Sequence, residues 1–252
     1  MMESLTRYLD TLTNAPSIEA LWQLHAARMA EYGFDRILYG FTRYRSGHSL
    51  GDPQDWIVLT NHVPDYMQAF LTDGLYFHAP MLHWALENDG ACSWRAIEEM
   101  GRRGGLTPQE LRVVEFNRRM GVTSGYTLSF RSLSVRTKGA IALTAPTGTT
   151  QDEVESIWSR NGEEILVCNN VAHLKIMTLP HSRSRQLTRR QREVLEWVGD
   201  GKTAQDIATI MGLTPATVEK HLRLAREALD VETTAQAVLK ASFSNQMFVI
   251  DA

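Results

Sequence analysis

The chain has 252 residues, which is enough for one large domain or two ordinary ones. Apolar residues make up 43% and charged residues 22%, the mixture typical of a globular protein. No apolar run approaches the roughly 18 residues that cross a bilayer. The polar N-terminus argues against a secretory signal, and the two cysteines are far apart in sequence. Composition therefore favours the cytoplasm and excludes a cysteine metal knuckle.

The net charge of −3 is unevenly distributed along the chain. Residues 181–229 hold nine Lys or Arg and six Asp or Glu, a net charge of +3, which leaves −6 for the remainder. A basic segment on an acidic body indicates a polyanionic partner for that segment. A polar stretch with a proline, residues 178–186, predicts a linker between a first domain, residues 1–177, and a second, residues 187–245.

Helical and strand-like patterns alternate in the first domain. Helical spacing predicts helices over residues 5–12, 18–32, 64–71, 80–87, 108–120 and 152–177. Strands are predicted in the segments FDRILYGFTR, DWIVLTNH, YTLSFRS and GAIALTA, of which the last two pair like a hairpin. In the first of these strands Ile37, Tyr39 and Phe41 share one face. We expect an α/β sandwich, with a mixed, mainly antiparallel sheet between helix layers.

The second domain reads as all-α. Four helix starts carry a side-chain cap: Thr188 with Gln191, Thr203 with Asp206, Thr214 before Pro215, and Thr233 with Gln236. These starts predict four short helices. The third helix has one apolar stripe for the core, made of Val218, Leu222, Ala225 and Leu229.

The opposite face of that third helix is polar and partly basic. It presents Lys220 and Arg223, flanked by Glu219 on one side and Thr217 on the other. Arg and Lys donate hydrogen bonds to guanine, and Glu accepts from cytosine, so this face suits the major groove of DNA. The alternative is an ordinary helical hairpin with a solvated charged face.

The whole second domain resembles the four-helix DNA-binding domain of the LuxR family of transcription regulators. The matching residues are Leu187-Thr188, Glu193-Val194-Leu195, Trp197, Gly201-Lys202-Thr203, Ile207-Ala208, Thr217-Val218, His221-Leu222, Leu229, Val231 and Gln236-Ala237-Val238. The resemblance implies a helix-turn-helix that acts as a dimer on a two-fold DNA operator. It assigns base contacts to Glu219 and Arg223, and phosphate contacts to Thr217, Lys220 and Thr203.

The first domain resembles the acyl-homoserine-lactone-binding domain of quorum-sensing LuxR regulators over residues 17–174. Phe70, Pro80, Trp94 and Gly125 stand at family positions. The three polar contacts to the lactone headgroup are all changed, however. His62 stands where the family usually has Tyr, Tyr66 where it has Trp, and Ala79 where it has an Asp that accepts the ligand's amide N–H.

An unpaired buried amide costs about 1–3 kcal/mol, which is roughly a tenfold to hundredfold loss of affinity. These departures therefore predict weak or no binding of ordinary acyl-homoserine lactones. The residues expected to line the ligand site are Tyr39, Trp56, His62, Tyr66, Phe70, Tyr76, Ala79 and Trp94, with Phe41 and Phe130 as further rings. So many rings favour an apolar or aromatic small molecule. Alternatively the rings only fill a core, and the regulator is ligand-independent and controlled by a protein partner.

No catalytic or metal-binding constellation is predicted, so the chain is not expected to be an enzyme or to hold a cofactor. A small-molecule-processing enzyme fused to a helical module remains as a distant alternative.

In the family the long closing helix packs against the same helix of the second subunit. Here Ile157 or Trp158, Ile165, Ala172 and Ile176 form an apolar line along that helix, which we call the dimer stripe. Packing of this stripe against the sheet is the alternative for Trp158 and Ile165.

Overall fold

The computed structural model describes residues 3–47, 49–132, 134–180 and 186–249. The chain divides into two compact units, the first ending at Met177 and the second beginning at Thr178. Of the predicted linker, residues 178–186, positions 181–185 lie outside the described residues. Within the described part of the chain, no helix combines the length and the hydropathy that crossing a bilayer requires.

The first unit is built on one five-stranded sheet. Its strands are β1 (Arg36–Thr42), β2 (Ile57–Thr60), β3 (Gly90–Ser93), β4 (Gly125–Phe130) and β5 (Lys138–Thr144). The spatial order is β2-β1-β5-β4-β3, and every neighbouring pair is antiparallel. Together with the surrounding helices, this sheet confirms the predicted α/β sandwich, although the described strands pair antiparallel throughout and not in a mixed sheet.

Among the described residues of the first unit, seven α-helices surround the sheet: α1 (Leu5–Thr13), α2 (Ile18–Glu31), α3 (Pro64–Met67), α4 (Pro80–Glu87), α5 (Arg95–Arg102), α6 (Pro108–Arg119) and α7 (Gln151–Thr178). α6 begins as its sequence predicts, because Thr107 and Glu110 form a capping box. α3 is shorter than predicted and continues as a wider π-helical turn over Gln68–Thr72. α5 is not predicted from the sequence at all.

The two faces of the sheet pack against different neighbours. On β1 the ring of Tyr39 contacts Trp22 of α2, and its hydroxyl lies 2.8 Å from Nδ1 of His173 on α7. Successive residues of a strand point to opposite faces. Leu38 accordingly packs on the other face, with Tyr66 and Trp94 of the predicted ligand site.

Most of the predicted dimer stripe lies in the core of the same chain. Ile165, Ala172 and Ile176 are at most 2% exposed, because this side of α7 covers the sheet. The stripe is therefore wrong as a contact surface for these three residues. The exposed apolar residues of α7 are Val167 and Leu174, on the opposite side of the helix.

The part of the second unit that the structure describes forms four helices: α8 (Arg189–Gly199), α9 (Ala204–Met211), α10 (Pro215–Leu229) and α11 (Thr234–Phe243). All four predicted caps are confirmed, since each threonine hydroxyl accepts a hydrogen bond from the first turn of its helix. One apolar core joins the helices, made of Val194, Leu195, Ile207, Ala208, Val218, Leu222, Ala225, Leu229, Ala237 and Ala241.

Candidate functional site

α9, a tight turn and α10 form a helix-turn-helix in the second unit. Gly212 ends α9 with a left-handed backbone at φ +65°, a conformation that suits glycine. Thr214 then caps α10, and Pro215 takes the first helical position. The predicted inward stripe is confirmed: Val218 and Leu222 are buried in the core of the unit, and Ala225 and Leu229 continue the same line.

The outer face of α10 carries the side chains predicted to contact bases, Glu219 and Arg223, and the predicted phosphate contact Lys220. Glu219, Lys220 and Arg223 are exposed. The guanidinium of Arg223 donates to the carboxylate of Glu227 one turn further on, and both side chains are more than half exposed. Such a surface ion pair stabilises the helix by only about 0.3–0.5 kcal/mol. Arg223 can therefore exchange this partner for a base at little cost.

The hydroxyls of Thr203 and Thr217, both predicted phosphate contacts, already form hydrogen bonds in helix caps. Thr217 shares a hydrogen bond of 2.9 Å with the hydroxyl of Thr214. The hydroxyl of Thr203 donates to the carboxylate of Asp206 at 2.6 Å, and the Thr203 backbone N–H donates to the same carboxylate. A phosphate at the N-terminus of α9 would have to displace that carboxylate. Thr203 is thus the weakest of the predicted phosphate contacts.

A cavity of about 680 Å³ lies in the first unit, between the sheet and α3–α6. This volume is in the usual range for small-molecule sites. It borders all eight residues predicted for the ligand site: Tyr39, Trp56, His62, Tyr66, Phe70, Tyr76, Ala79 and Trp94. Its remaining lining is mostly aliphatic.

Stacked rings form one end of the cavity. Tyr66 stacks with His62 at 4.5 Å between ring centroids, and with Phe70 and Phe116 at 5.5 and 5.4 Å. The hydroxyl of Tyr66 donates to Oδ1 of Asn117 at 3.1 Å. Burial raises the pKa of Tyr66, so the phenol stays protonated. The Tyr66 hydroxyl therefore already has a protein acceptor.

Most polar groups around the cavity are paired within the protein. The indole N–H of Trp94 donates to the Thr127 hydroxyl, and that of Trp56 donates to the carbonyl of Leu50, both at 2.8 Å. The ring nitrogens of His62 have no hydrogen-bond partner among the described residues. Burial lowers the pKa of His62 to about 4, so its ring is neutral at physiological pH. The neutral ring offers one donor and one acceptor to a ligand.

Two of the predicted ligand contacts, Ala79 and Tyr39, present no polar side-chain group to the cavity. Ala79 is the N-cap residue of α4, and no side chain caps that helix. The methyl side chain of Ala79 supplies no hydrogen-bond acceptor to the cavity. Tyr39 is a strand residue beside the cavity, but its side chain points to the opposite face of the sheet. Its ring packs against His173 of α7, and its hydroxyl forms a hydrogen bond with the same histidine. Its predicted role as a ring contact to the ligand does not match this placement.

Sequence reasoning missed the floor of the cavity. Leu38 and Gly40 of β1 and Ala140 and Ala142 of β5 are partly exposed toward it, while their strand neighbours are buried. A methyl group added at Gly40 would meet no atom within 4 Å. A glycine inside a strand can mark a close approach of ligand to backbone, and Gly40 in RILYGFT was such a signal.

An α/β domain with a cavity of this size, in one chain with a helix-turn-helix, is the arrangement of a transcription regulator with a small-molecule-binding domain. Models of two known families match the chain: the autoinducer binding domain over residues 17–176 and the bacterial regulatory proteins of the luxR family over residues 185–241. The chain belongs to the LuxR family of transcription regulators, with an autoinducer-binding domain and a DNA-binding helix-turn-helix.

Curated relatives agree with this assignment. The transcriptional activator AnoR of Acinetobacter nosocomialis is 23% identical over 88% of this chain and 90% of its own length. LuxR of Aliivibrio fischeri, also a transcriptional activator, is 21% identical over 84% and 80%. The quorum-sensing-dependent regulator RpaR of Rhodopseudomonas palustris is 38% identical, over only 28% and 30%. The relatives that match most of the chain are transcription factors rather than enzymes.

Solved structures share the fold. CepR2 of Burkholderia cenocepacia, an N-acylhomoserine-lactone-dependent LuxR-family factor, matches with a TM-score of 0.53 and 20% identity, over 69% of this chain and 93% of its own. SdiA in complex with octanoyl-rac-glycerol matches with a TM-score of 0.54 and 14% identity, over 97% of each chain. At these identities the likeness establishes the fold alone.

Proposed function

We propose that this LuxR-family regulator binds a two-fold DNA operator as a homodimer and responds to a neutral, apolar or aromatic small molecule. The observation that carries the DNA-binding part is the exposed face of α10 above its buried stripe. In this proposal Glu219 and Arg223 contact bases, whereas Lys220 and Thr217 contact phosphates. Phosphate contacts position the helix in the major groove, and base contacts select the sequence.

The observation that carries the ligand part is the cavity together with its altered headgroup residues. A cavity of about 680 Å³ disfavours a regulator whose core is simply packed with rings. The change to Ala79 removes the acceptor for an amide N–H, and Tyr66 already donates to Asn117. Both features disfavour an acyl-homoserine lactone bound in the family's usual way. The neutral ring of His62 suits a ligand with a single polar group facing it.

The homodimer part of the proposal concerns α7. Its inner side is buried, so a partner subunit would have to use the outer side, where Val167 and Leu174 are 43% and 64% exposed. These residues lie two helical turns apart and share one face. Ligand binding would then shift the population of domain arrangements in which two DNA-binding modules match the operator.

Native mass spectrometry of the full chain, purified from its own source, tests the ligand and dimer parts together. We expect a dimer that carries a retained neutral small molecule. A monomer at micromolar concentration would contradict the dimer. The proposed ligand class has its own test, a lactone soak. Tight binding of octanoyl-homoserine lactone, with a hydrogen bond at the position of Ala79 in the structure of the complex, would contradict it.

A further inference from the structure

The cavity floor is a strip with polar groups at both ends and small residues between them. Even-numbered residues of β1 and β5 form this strip, because they share the face away from α7. The register pairs Leu38 with Ala142, Gly40 with Ala140 and Thr42 with Lys138. All six residues border the cavity.

The middle of the strip leaves the sheet backbone open to a ligand. Gly40 lies between Val58 of β2 and Ala140 of β5, and a methyl group at Gly40 would meet nothing within 4 Å. A strand rises about 3.3–3.4 Å per residue, so Leu38 and Thr42 are roughly 13 Å apart. The floor therefore suits an elongated molecule that lies along β1.

A buried lysine, Lys138, occupies the far end of the strip, where it pairs with Thr42. Lys138 is 8% exposed, and its Nζ donates to the carbonyl of Asn88 at 3.0 Å and to Oδ1 of Asp89 at 2.9 Å. An ammonium has three N–H donors, and the third has no acceptor among the described residues. Because Asp89 balances the charge, a neutral oxygen suits this donor better than a second carboxylate.

The near end of the strip, where Leu38 pairs with Ala142, also has hydrogen-bonding groups without a partner in the described part of the chain. Thr127, which pairs with Ala142, accepts from Trp94, and its own hydroxyl proton has no acceptor within the described ranges. The unpaired ring nitrogens of His62 are at the same end, beside Tyr66. Burying polar groups without partners is unfavourable, and a ligand with an oxygen at each end would satisfy both ends.

We propose that the ligand is an elongated neutral molecule with an oxygen-bearing group at each end, the far one held by Lys138 and the body lying over Gly40 and Ala140. This inference rests on the proposed ligand-sensing function and specifies its ligand class. It makes Lys138 and Gly40 specificity-determining residues.

Two probes of matched length test the proposal on the full chain: 1,10-decanediol and 1-decanol. Trp56 and Trp94 border the cavity, so their fluorescence reports binding, and calorimetry checks it. We expect the diol to bind about tenfold more tightly, the value of one added hydrogen bond. Lys138→Met should abolish this preference while the affinity for 1-decanol is kept. A purely structural role for Lys138 would instead weaken both probes alike, and that result would overturn the assignment.

Gly40→Val provides the steric test. A Cβ at position 40 meets no atom within 4 Å, and strands tolerate branched residues, so the fold should keep its thermal stability while both probes lose at least tenfold in affinity. Equal binding of diol and monoalcohol by the unaltered chain would overturn this inference and leave ligand sensing intact. No binding of either probe, with the fold unchanged, would overturn both.

Discussion

Replacing Ala79 by Asp should stabilise the first unit. Ala79 occupies the N-cap of α4 with extended backbone angles, φ −79° and ψ 116°, and provides no side-chain acceptor. An Asp at an N-cap accepts from the first turn and stabilises a protein by about 0.5–2 kcal/mol. The position is 6% exposed and borders the cavity, so the cap must also offset the cost of partly desolvating the carboxylate. We expect a net gain of about 1 kcal/mol in the free energy of unfolding.

The same carboxylate should change what the cavity binds. It supplies the acceptor for an amide N–H that Ala79 lacks, and a hydrogen bond to a charged group contributes about 1.5–3 kcal/mol. Affinity for octanoyl-homoserine lactone should therefore rise roughly tenfold to hundredfold in Ala79→Asp. His62 and Tyr66 are unchanged in this variant, so any gain reports on the amide contact alone.

Urea unfolding measures the stability of the Ala79 variants, and titration calorimetry measures their affinity for the lactone. Ala79→Ser is the matched control, because serine caps a helix equally well but carries no charge. It should reproduce the gain in stability with a smaller gain in affinity. If the unaltered chain and Ala79→Asp bind the lactone with equal affinity, the missing acceptor does not limit lactone binding and the reasoning fails.

Ile165→Asp places a charge in the core of the first unit and should unfold it, at a cost above about 3 kcal/mol. Circular dichroism checks this, and a variant that keeps the helical signal of the unaltered chain would contradict it. Val167→Asp with Leu174→Asp, on the exposed side of α7, should keep the fold but give monomers in analytical ultracentrifugation; an unchanged dimer mass would place the interface elsewhere. Hydrogen bonds from the Thr203 hydroxyl and backbone N–H lower the pKa of Asp206. Its carboxylate therefore contributes stability above a pH of about 3.9, which is lost as the pH falls through the lowered pKa. Thermal melts should show a smaller loss in acid for Asp206→Asn, and an equal loss would refute this role.

Helix starts could be predicted wherever the signal is local. Thr188 and Gln191, three residues apart, complete their capping box without any distant contact. α5 was missed because its start has no such signal: Trp94 precedes it and caps nothing. Its first residue, Arg95, instead forms ion pairs with Asp152 and Glu155 of α7, which are distant in sequence.

Spacing predicts which residues share a face but not which neighbour that face meets. The alternation in β1 correctly grouped Tyr39 with its fellow buried residues, yet their partner is α7 and not the cavity. The apolar line through Ile165 of α7 was equally compatible with a sheet and with a second subunit. Only the packed structure separates these cases, because both bury the same apolar area.

Binding of Arg223→Ala and Lys220→Ala to operator and to random duplex DNA tests the central claim most directly. The operator is first selected from random duplexes with the unaltered chain, and affinities are measured by fluorescence anisotropy at several salt concentrations. Arg223→Ala should lose about 1–3 kcal/mol on the operator and less on random DNA, whereas Lys220→Ala should weaken both alike and lower the salt slope by about one. Equal losses on both duplexes for both variants, or no loss for either, would contradict the account of α10 as the helix that reads DNA.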